Sequence, residues 1–439
     1  MSAEPPDREH VAVIGLGYVG LPLALDLVEA GHRVHGVDTN AAKLEQLRSG
    51  SSPLGDVSAE RLTAALNGGR LALSGTELDW TNESVVFVCV PTPITPSHVP
   101  DLGAVLAAAA YVRRGLKAGD LVVLQSTTYP GTTVGPFKDA LEVDGLRAGV
   151  DFGLAFAPER VNPGDPRPPT EIPRVIGATT PEAATRLAGL LSDIAPSVSI
   201  MSSPDAAEMT KLFENVFRNV NIALVNELAL ISERLGLDVW EVIAGAATKP
   251  FGFMPFYPGP GVGGHCIPVD PYYLSARASQ VGFSERFVAT AGDINAQMPA
   301  HVLELVTEAL NARGASVSGA RILVVGVAFK PGVSDTRNTP ADPIISGLRS
   351  RGAEVTYHDP LVRSFAPAYG PPLRSVELEQ ALPTEPDCVV IVTAQPTVDW
   401  ALLFGRAGLV VDTRNASDGH RLRSGQVLRL GAGWSEGEA

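Results

Sequence analysis

The sequence predicts an α/β fold in which two Rossmann-like, doubly wound domains are joined by a central helical segment. Three observations lead to this prediction. Short apolar runs alternate with helical patterns in the first third of the chain, and the alternation returns in the last third. Between them, Ala206–Leu235 contains neither proline nor glycine, as expected for a long helix. A chain of 439 residues also exceeds what one hydrophobic core usually covers.

The first third begins with a strand–helix–strand pattern. Val11–Ile14 is a short apolar run, Val19–Ala30 has helical periodicity, and Arg33–Val37 follows a glycine as a second strand-like run. Similar runs recur at Val85–Val90 and Leu121–Leu124, with helical stretches between them. Such runs separated by helices indicate a parallel sheet covered on both faces.

The pattern changes to long helices from Ser203 to near Gln297. Strand-like runs then return at Arg321–Val327, Glu354–Tyr357, Cys388–Val392 and Leu409–Val411. We therefore predict domains at 1–202, 203–300 and 301–430. Periodicity is lost towards the C-terminus, so Gly431–Ala439 is expected to be disordered.

Composition argues against several classes of function. Acidic residues outnumber basic ones by 48 to 34, and the formal charge of −14 repels phosphate backbones and anionic lipids. No apolar run reaches the roughly 18 residues of a spanning helix, and Met1–His10 lacks the order of a signal peptide. We expect a cytoplasmic protein that binds neither nucleic acid nor membranes. Three cysteines without metal-type spacing predict reduced thiols and no bound metal.

A glycine-rich turn follows the first predicted strand. Gly15, Gly17 and Gly20 form G-x-G-x-x-G between a strand and a helix, and Asp38 ends the next strand. These residues suit a tight turn, close approach to a pyrophosphate, close helix packing, and a hydrogen bond to a ribose 2′-hydroxyl. Because Asp38 would repel a 2′-phosphate, NAD is favoured over NADP. The alternative is a glycine-rich turn with no ligand.

Cys266 lies in a loop rich in glycine and proline, Pro258–Asp270. This composition excludes a helix interior or a central strand, and it allows a thiol to approach a substrate closely. Cys89 and Cys388 lie in apolar runs, where inert core residues are expected. His265 could form a dyad with Cys266, but side chains adjacent in sequence usually diverge, so a structural or substrate-contacting imidazole is the alternative.

Lys211 and Asn215 are four residues apart on the long central helix, so both lie on one face. A cation and an amide that converge on one point are what a developing oxyanion requires. A solvated polar stripe is the alternative interpretation.

Through these and further motifs, the chain resembles the UDP-glucose/GDP-mannose dehydrogenase family. The motifs occur in the family's order over nearly the whole chain: GLGYVGLP at Gly15–Pro22, STTYPGTT at Ser126–Thr133, APERVNPG at Ala157–Gly164, AAEMTKLFENVFRNVNIALVNE at Ala206–Glu227, PGPGVGGHCIPVDPYYL at Pro258–Leu274 and GVAFKPGVSDTRNTP at Gly326–Pro340. The resemblance implies an N-terminal NAD domain, a central helical dimerisation and catalytic-loop domain, a C-terminal nucleotide-sugar domain, and a homodimer.

The resemblance also implies a reaction, the four-electron oxidation of a nucleotide-sugar C6 alcohol to a carboxylate, as in uronic acid biosynthesis. Cys266 matches the family's nucleophile, which forms a thiohemiacetal and then a thioester. Lys211 and Asn215 match its oxyanion-binding pair, and Asp270 matches the carboxylate that works with the lysine on water. Two alternatives are a non-catalytic nucleotide-sugar-binding protein and a two-electron NAD dehydrogenase.

Further site residues follow from the same resemblance. Thr127 and Glu159 match residues that hold a water near the sugar C6. The residues expected to bind NAD are Gly15, Gly17, Tyr18, Gly20, Asp38, Pro91, Thr92 and Thr127. The residues expected to bind the substrate are Glu159, Lys211, Asn215, Phe256, Tyr257, Gly263, Lys330 and Arg337.

Two features of the sequence bear on the substrate. Pro163 stands where UDP-glucose enzymes often carry a second glutamate, and this form looks more like the UDP-N-acetylhexosamine branch. UDP-glucose or dTDP-glucose is the alternative substrate. Lys330, Asp335 and Arg337 match the loop that meets the nucleotide, where a guanidinium suits a diphosphate. A surface salt-bridge loop is the alternative for these three residues.

Overall fold

The computed structural model describes residues 9–54, 57–77, 83–95, 99–142, 145–162 and 167–436. They form two compact units. The N-terminal unit extends to Glu214 and also contains Tyr272–Ser284, and the C-terminal unit contains Asn215–Pro271 and the chain from Glu285 onward. The domain boundaries predicted from the sequence differ from this two-unit division and stay a prediction.

The N-terminal unit is built on an eight-stranded sheet. Its strands are β1 His10–Ile14, β2 Arg33–Val37, β3 Leu71–Ser74, β4 Val85–Val88, β5 Leu121–Leu124, β6 Gly153–Phe156, β7 Arg174–Ala178 and β8 Val198–Met201. Their order is β3-β2-β1-β4-β5-β6-β7-β8, and neighbours are parallel except β6 and β7. Successive residues of β1 enter two cores, one on each face, as strand geometry requires.

Helices cover both faces of this sheet. They are α1 Gly20–Glu29, α2 Ala41–Arg48, α3 Ala59–Asn67, α4 Gly103–Arg113, α5 Lys138–Leu141 and α6 Pro181–Ser192. Side chains of Asn40, Ser58 and Thr180 cap the starts of α2, α3 and α6 by accepting a backbone N–H. The predicted doubly wound arrangement of this region is confirmed.

The middle of the chain consists of long helices, as predicted. They are α7 Pro204–Leu235, α8 Val239–Ala247, α9 Asp270–Gln280 and α10 Phe287–Asn311. Helix α7 passes from the N-terminal unit to the C-terminal unit between Glu214 and Asn215. Among the described residues, no helix is long and apolar enough to span a membrane.

The C-terminal unit contains a second sheet. The strands of this unit are β9 Arg321–Val325, β10 Glu354–His358, β11 Ser364–Phe365, β12 Leu373–Arg374, β13 Cys388–Ile391, β14 Val410–Asp412, β15 Val427–Arg429 and β16 Gly433–Trp434. Six of them form the second sheet, in the order β10-β9-β13-β14-β15-β16, and β11 and β12 form a separate two-stranded sheet. Its shorter helices are α11 Ala341–Ser350, α12 Leu378–Ala381 and α13 Trp400–Arg406. The second Rossmann-like domain is thereby confirmed.

The expected disorder of Gly431–Ala439 is wrong as far as Glu436. Gly433–Trp434 pairs with β15, and the Gly431 N–H donates to Glu233 at 2.8 Å. Gly431 and Gly433 have positive φ, which lets the chain turn back on itself. Pairing with a neighbouring strand and with α7, neither visible in local periodicity, orders this segment. Residues 437–439 lie outside the described residues.

Candidate active site

The glycine-rich turn after β1 has the geometry that a dinucleotide requires. Gly15 has a φ of 93°, and a Cβ there would lie 2.5 Å from the Cys89 carbonyl oxygen. A Cβ on Gly20 would collide with the Gly15 carbonyl, so this glycine lets α1 pack against the turn. Among the described residues, nothing lies within 4 Å of an ideal Cβ on Gly17. This leaves space where a pyrophosphate would approach the backbone.

Asp38 follows β2, and the turn holds its carboxylate. Oδ2 accepts hydrogen bonds from the Leu16 N–H at 2.9 Å and from Lys43 Nζ at 2.7 Å, and Oδ1 accepts from the Asn40 N–H at 2.9 Å. Burial raises the pKa of Asp38, but hydrogen bonds from Lys43 and the two backbone groups outweigh burial and lower it. The carboxylate is therefore ionised, as discrimination against a 2′-phosphate requires.

Pro91, Thr92 and Thr127 follow the neighbouring strands β4 and β5, so they lie at the same edge of the sheet as the glycine turn. Ser126 Oγ donates to the Val90 carbonyl at 2.7 Å and ties the two loops together. The strand order reverses between β1 and β4. In α/β proteins the crevice at such a reversal is the usual ligand site.

Glu159 follows β6, and both of its carboxylate oxygens accept hydrogen bonds. Oε1 accepts from the backbone N–H groups of Arg160 at 2.7 Å and Val161 at 2.9 Å. Oε2 accepts from Arg174 at 2.5 Å and from Gln125 at 3.3 Å. Burial raises the pKa of Glu159, but the Arg174 guanidinium and the backbone N–H groups outweigh burial and lower it. Glu159 is therefore an ionised carboxylate whose protonation is disfavoured.

Arg174 was not predicted from the sequence. It is the buried first residue of β7, and its guanidinium is the cation paired with Glu159. A buried charge in an otherwise apolar strand requires a partner, and this is the signal that could have identified it. Arg174 and Glu159 are 15 positions apart, which matches no recognisable spacing, so the sequence did not identify the partner.

Glu208, on α7, holds the segment that follows Thr127. Its carboxylate accepts from the Thr133 N–H at 2.9 Å, from Thr133 Oγ1 at 2.6 Å, and from the Gly131 N–H at 2.8 Å. Burial raises the pKa of Glu208 to about 7 despite these donors. Lys211 is half-buried one turn further along the helix. The helix that carries Lys211 is thus bonded to the loop that carries Thr127.

In the C-terminal unit, Asn215 and Asp270 are bonded to each other. Asn215 Nδ2 donates to Asp270 Oδ2 at 2.5 Å, and both side chains are buried. Asp270 begins α9, and its N–H donates to the Cys266 carbonyl at 2.7 Å. The structure therefore links three predicted catalytic residues through two hydrogen bonds.

The three cysteines lie in contrasting environments. Cys89 and Cys388 are buried, and burial raises the pKa of Cys388 to about 12 and that of Cys89 further above its ordinary value. Both thiols therefore stay protonated at neutral pH. Cys266 is partly exposed, in the glycine-rich loop predicted to present it.

The glycines beside Cys266 allow its loop to pack closely against the chain after β9. A Cβ on Gly263 would lie 2.7 Å from Phe329 Cβ, and the Gly264 N–H donates to the Arg337 carbonyl at 3.0 Å. Asn338 Nδ2 donates back to the Gly264 carbonyl at 2.9 Å. Asn338 has a φ of 50°, a conformation that asparagine tolerates better than most residues. This residue was not predicted from the sequence.

Arg337 forms a salt bridge with Asp335. Its Nη2 lies 2.6 Å from Asp335 Oδ2, and its Nε lies 3.0 Å from both carboxylate oxygens. Burial raises the pKa of Asp335, but the Arg337 guanidinium outweighs burial, and the nearby His265 also lowers it. Lys330 Nζ lies 5.6 Å from the centre of the Phe329 ring. Arg337 and Asp335 thus form an ion pair, and a diphosphate would have to compete with Asp335 for the guanidinium.

The turn after β9 repeats the design of the turn after β1. Gly326 has a φ of 81°, and the N–H groups of Val327 and Ala328 donate to Asp359 Oδ2 at 2.8 and 3.2 Å. Asp359 follows β10 as Asp38 follows β2. The strand order also reverses here, between β9 and β13. The C-terminal unit thus has its own ligand-type crevice.

The predicted substrate residues Phe256 and Tyr257 pack against helices. The Phe256 ring meets Phe217 of α7 edge-on at 5.7 Å between centroids, and Tyr257 stacks on Trp240 of α8 at 6.0 Å. Pro163, whose position bears on the choice of substrate, lies outside the described residues. Within the described ranges, no three His, Cys, Asp or Glu side chains form a metal-type cluster.

Family models cover most of the chain. Residues 9–194 match the NAD binding domain of the UDP-glucose/GDP-mannose dehydrogenase family, residues 205–297 match its central domain, and residues 323–419 match its UDP binding domain. The resemblance inferred from the motifs is confirmed.

Individual relatives match four fifths of the chain or more. A UDP-N-acetyl-D-glucosamine 6-dehydrogenase from Pseudomonas aeruginosa is 40% identical over 357 residues, covering 80% of this chain and 83% of the relative. A UDP-N-acetyl-D-mannosamine dehydrogenase from Pyrococcus horikoshii is 36% identical over 415 residues, covering 92% and 95%. The solved structure of a UDP-D-ManNAc dehydrogenase from Pyrococcus horikoshii has a TM-score of 0.85 at 33% identity, covering 97% of this chain and 99% of that one. The chain therefore belongs to the UDP-glucose/GDP-mannose dehydrogenase family and is an NAD-dependent nucleotide-sugar dehydrogenase.

Proposed function

We propose that the chain oxidises the C6 hydroxyl of a UDP-N-acetylhexosamine to a carboxylate, through covalent intermediates on Cys266. The observation that carries the proposal is the environment of this thiol, which is partly exposed in a loop shaped by glycines while the other two thiols are buried. Relatives named for UDP-N-acetyl-D-glucosamine and UDP-N-acetyl-D-mannosamine support the sugar class. UDP-glucose or dTDP-glucose is the alternative substrate.

The reaction divides into two oxidations and a hydrolysis. NAD, when bound, accepts one hydride in each oxidation. After the first oxidation, the Cys266 thiolate adds to the C6 aldehyde, and the carbonyl oxygen takes up a proton to give a thiohemiacetal. Loss of a second hydride and of the hydroxyl proton gives a thioester. Water then attacks C6, the C–S bond breaks, and the thiol is regenerated with the carboxylate.

Lys211 and Asn215 are proposed to stabilise negative charge on the C6 oxygen. They lie one turn apart on α7, so both side chains project from the same face. Asn215 Nδ2 carries two hydrogens, and it donates one hydrogen bond to Asp270. This bond fixes the orientation of the amide, which makes it a preorganised donor for the other hydrogen.

Asp270 is proposed to accept the proton of the attacking water, with Lys211 beside the reacting oxygen. Glu159 is less suited to that role, because both of its oxygens already accept hydrogen bonds and its pKa is lowered by Arg174. A carboxylate of this kind orients neighbouring donors. We therefore assign to Glu159, with Thr127, the holding of a water near C6.

Substrate and cofactor are proposed to bind at opposite ends of the sequence. The turn at Gly15–Gly20 and the fixed carboxylate of Asp38 support NAD binding in the N-terminal unit. Lys330 and Arg337 are proposed to meet the diphosphate, which would replace Asp335 as the partner of the guanidinium. Three reduced cysteines fit a cytoplasmic enzyme.

A homodimer is proposed from the exposed apolar surface of α7. Exposed apolar side chains recur on this helix every three or four residues or at twice that spacing: Met209, Phe213, Phe217, Leu224, Leu228, Ile231 and Leu235. An exposed stripe of this length fits an interface with a second copy of the helix.

Light scattering tests the dimer. It should give a dimer mass for the wild type and a monomer mass for Leu224→Glu/Leu228→Glu. The exposed neighbour Glu227→Lys is the control and should stay dimeric, whereas a monomeric wild type would reject the proposal.

The proposed reaction is tested by counting NADH against sugar. UDP-N-acetylglucosamine, UDP-N-acetylmannosamine, UDP-glucose and dTDP-glucose are each incubated with NAD, and NADH and uronate are quantified. Two NADH per sugar support the proposal, one NADH indicates a two-electron dehydrogenase, and none with any sugar indicates a binding protein.

Cys266→Ser tests the covalent step. The variant should form almost no uronate, because an oxygen nucleophile does not give an easily hydrolysed thioester, and it should still bind NAD. Cys388→Ser is the matched control at a buried thiol and should retain two NADH per sugar. Turnover of the Cys266 variant at the wild-type rate would reject covalent catalysis.

A further inference from the structure

A chain of buried amides connects α7 and α10 to the loop that carries Cys266. Asn226 Oδ1 accepts from the Gly259 N–H at 2.9 Å, and Asn226 Nδ2 donates to Asn295 Oδ1 at 2.9 Å. Asn295 Nδ2 donates to Asn219 Oδ1 at 2.9 Å and to the Asn219 carbonyl at 3.2 Å. All three side chains are buried.

The orientation of each amide in this chain is determined. At one end the Gly259 N–H can only donate, so Asn226 must present its oxygen there and its NH₂ to Asn295. At the other end the Asn219 carbonyl can only accept, so Asn295 must present its NH₂ there. One arrangement of Asn226 and Asn295 therefore satisfies both backbone ends, and an amide flipped at either position leaves a buried group unpaired.

The amide chain meets a second attachment on the other side of the cysteine. Gly259 lies seven residues before Cys266, and Asp270, which accepts from Asn215, lies four residues after it. Asn215, Asn219 and Asn226 all belong to α7. The helix therefore holds the cysteine loop on both sides of the thiol.

We infer that Asn226 and Asn295 are positioning residues for Cys266, acting through the backbone of Gly259. This inference rests on the proposed covalent mechanism. The first oxidation does not use the thiol, whereas capture of the aldehyde requires the sulfur within reach of C6. A displacement of about 1 Å can reduce such a step by about 100-fold. Loss of the amide chain should therefore affect capture of the aldehyde more than binding of either substrate.

Asn226→Ala tests the inference, because it leaves the Gly259 N–H without its acceptor. Asn221→Ala is the matched control on the same helix, since the Asn221 side chain donates to the Phe217 carbonyl one turn earlier in that helix. Each protein is assayed for kcat, for the KM of the nucleotide sugar, and for NADH per sugar consumed. Hydroxylamine in the assay traps any released aldehyde for detection by mass spectrometry.

The expected result for Asn226→Ala is a kcat lowered by about 10- to 100-fold, a KM within about 3-fold of wild type, NADH below two per sugar, and a trapped aldehyde. Asn221→Ala should match the wild type in all four. If Asn226→Ala keeps two NADH per sugar and releases no aldehyde, the inference is wrong. Asn226→Leu, which has a similar shape but offers the Gly259 N–H no acceptor, is assayed as well, with the same expected result, in case the alanine variant does not fold.

The wild type in the same assay separates the two claims. If it forms no uronate with any of the four sugars, the proposed function fails. If it forms two NADH per sugar and both Asn226 variants behave like the control, the function stands and the positioning role is rejected.

Discussion

Replacing Arg174 by methionine should destabilise the N-terminal unit by about 3–5 kcal/mol, because it leaves the Glu159 carboxylate buried without its cation. The Arg174 and Glu159 side chains are 4% and 15% exposed, so solvent screens the pair little. Methionine fills much of the same space, which limits the contribution of a cavity. The loss should therefore come mainly from the uncompensated charge.

Thermal unfolding measures this effect. For a unit of this size, each kcal/mol shifts Tm by about 2–4 °C, so we expect a decrease of roughly 6–20 °C. Arg147→Met is the matched control, because Arg147 pairs with Asp151 at 3.8 Å and is 70% exposed. An exposed pair contributes at most about 1 kcal/mol, so the control should lose no more than about 4 °C.

The pH dependence distinguishes a charge effect from a packing effect. In the wild type the pKa of Glu159 is lowered, so the stability it contributes is present above its ordinary value of 4.5 and is lost as the pH falls through the lowered pKa. Without Arg174, burial dominates and raises that pKa, so the carboxyl group takes up a proton more easily as the pH falls. The Tm difference between Arg174→Met and wild type should therefore shrink from pH 8 to pH 5.

Two results would refute this reasoning. One is a Tm difference that stays constant with pH, and the other is a loss no larger than that of the Arg147 control. The double variant Glu159→Gln/Arg174→Met provides a further check, because it removes both charges and should recover part of the stability lost in the single variant.

Three further predictions follow from single residues. Asp38→Ala should raise kcat/KM with NADP relative to NAD, because it removes a negative charge and leaves the Lys43 ammonium beside the turn; an unchanged ratio would show that Asp38 does not face the ribose. Between pH 4.5, its ordinary pKa, and about pH 7, Glu208 holds a proton in the folded state and loses it on unfolding. The free energy of unfolding of the wild type should therefore fall as the pH rises through this window. Glu208→Gln should lack this pH dependence when unfolding is measured from pH 4.5 to 8. Lys211→Ala should lower kcat by about 100- to 1,000-fold, whereas Arg337→Ala should mainly raise the nucleotide-sugar KM; steady-state kinetics that show only a KM effect for Lys211→Ala would remove its oxyanion role.

Local periodicity predicted the parts of the fold that local interactions define. The first strand, its glycine turn and α1 lie where the pattern placed them, and α7 begins at Pro204, two residues before the predicted start of the uninterrupted stretch. The segment Gly431–Trp434 was wrongly expected to be disordered. Its order comes from the pairing of Gly433–Trp434 with β15 and from the hydrogen bond of the Gly431 N–H to Glu233. A pairing partner nearly 200 residues away leaves no periodic signal in the segment itself.

The residues of the candidate site also fall into two groups, those with a local sequence signal and those without one. Cys266, Lys211 and Asp38 could be proposed from the sequence, because each belongs to a local motif or spacing. Arg174 and Asn295 could not, because their partners are distant in the chain. Arg174 is 15 positions from Glu159, and Asn295 is 69 positions from Asn226 and 76 from Asn219. Asparagine and arginine are common on surfaces, so residue type alone does not separate a buried partner from a solvated one.

Helix α7 has the reverse of the usual distribution of polar and apolar side chains. On an ordinary surface helix the apolar face is buried and the polar face is solvated. Here Glu208, Asn215, Asn219 and Asn226 are buried and hydrogen-bonded, while Phe213 and several leucines are exposed. Burying these polar groups costs free energy unless every one is paired, and an exposed apolar stripe gains stability only when another surface covers it. Neither arrangement stabilises an isolated helix. The pattern therefore supports two of the proposals: that one face of α7 positions the loops of the candidate site, and that the opposite face packs against a second subunit.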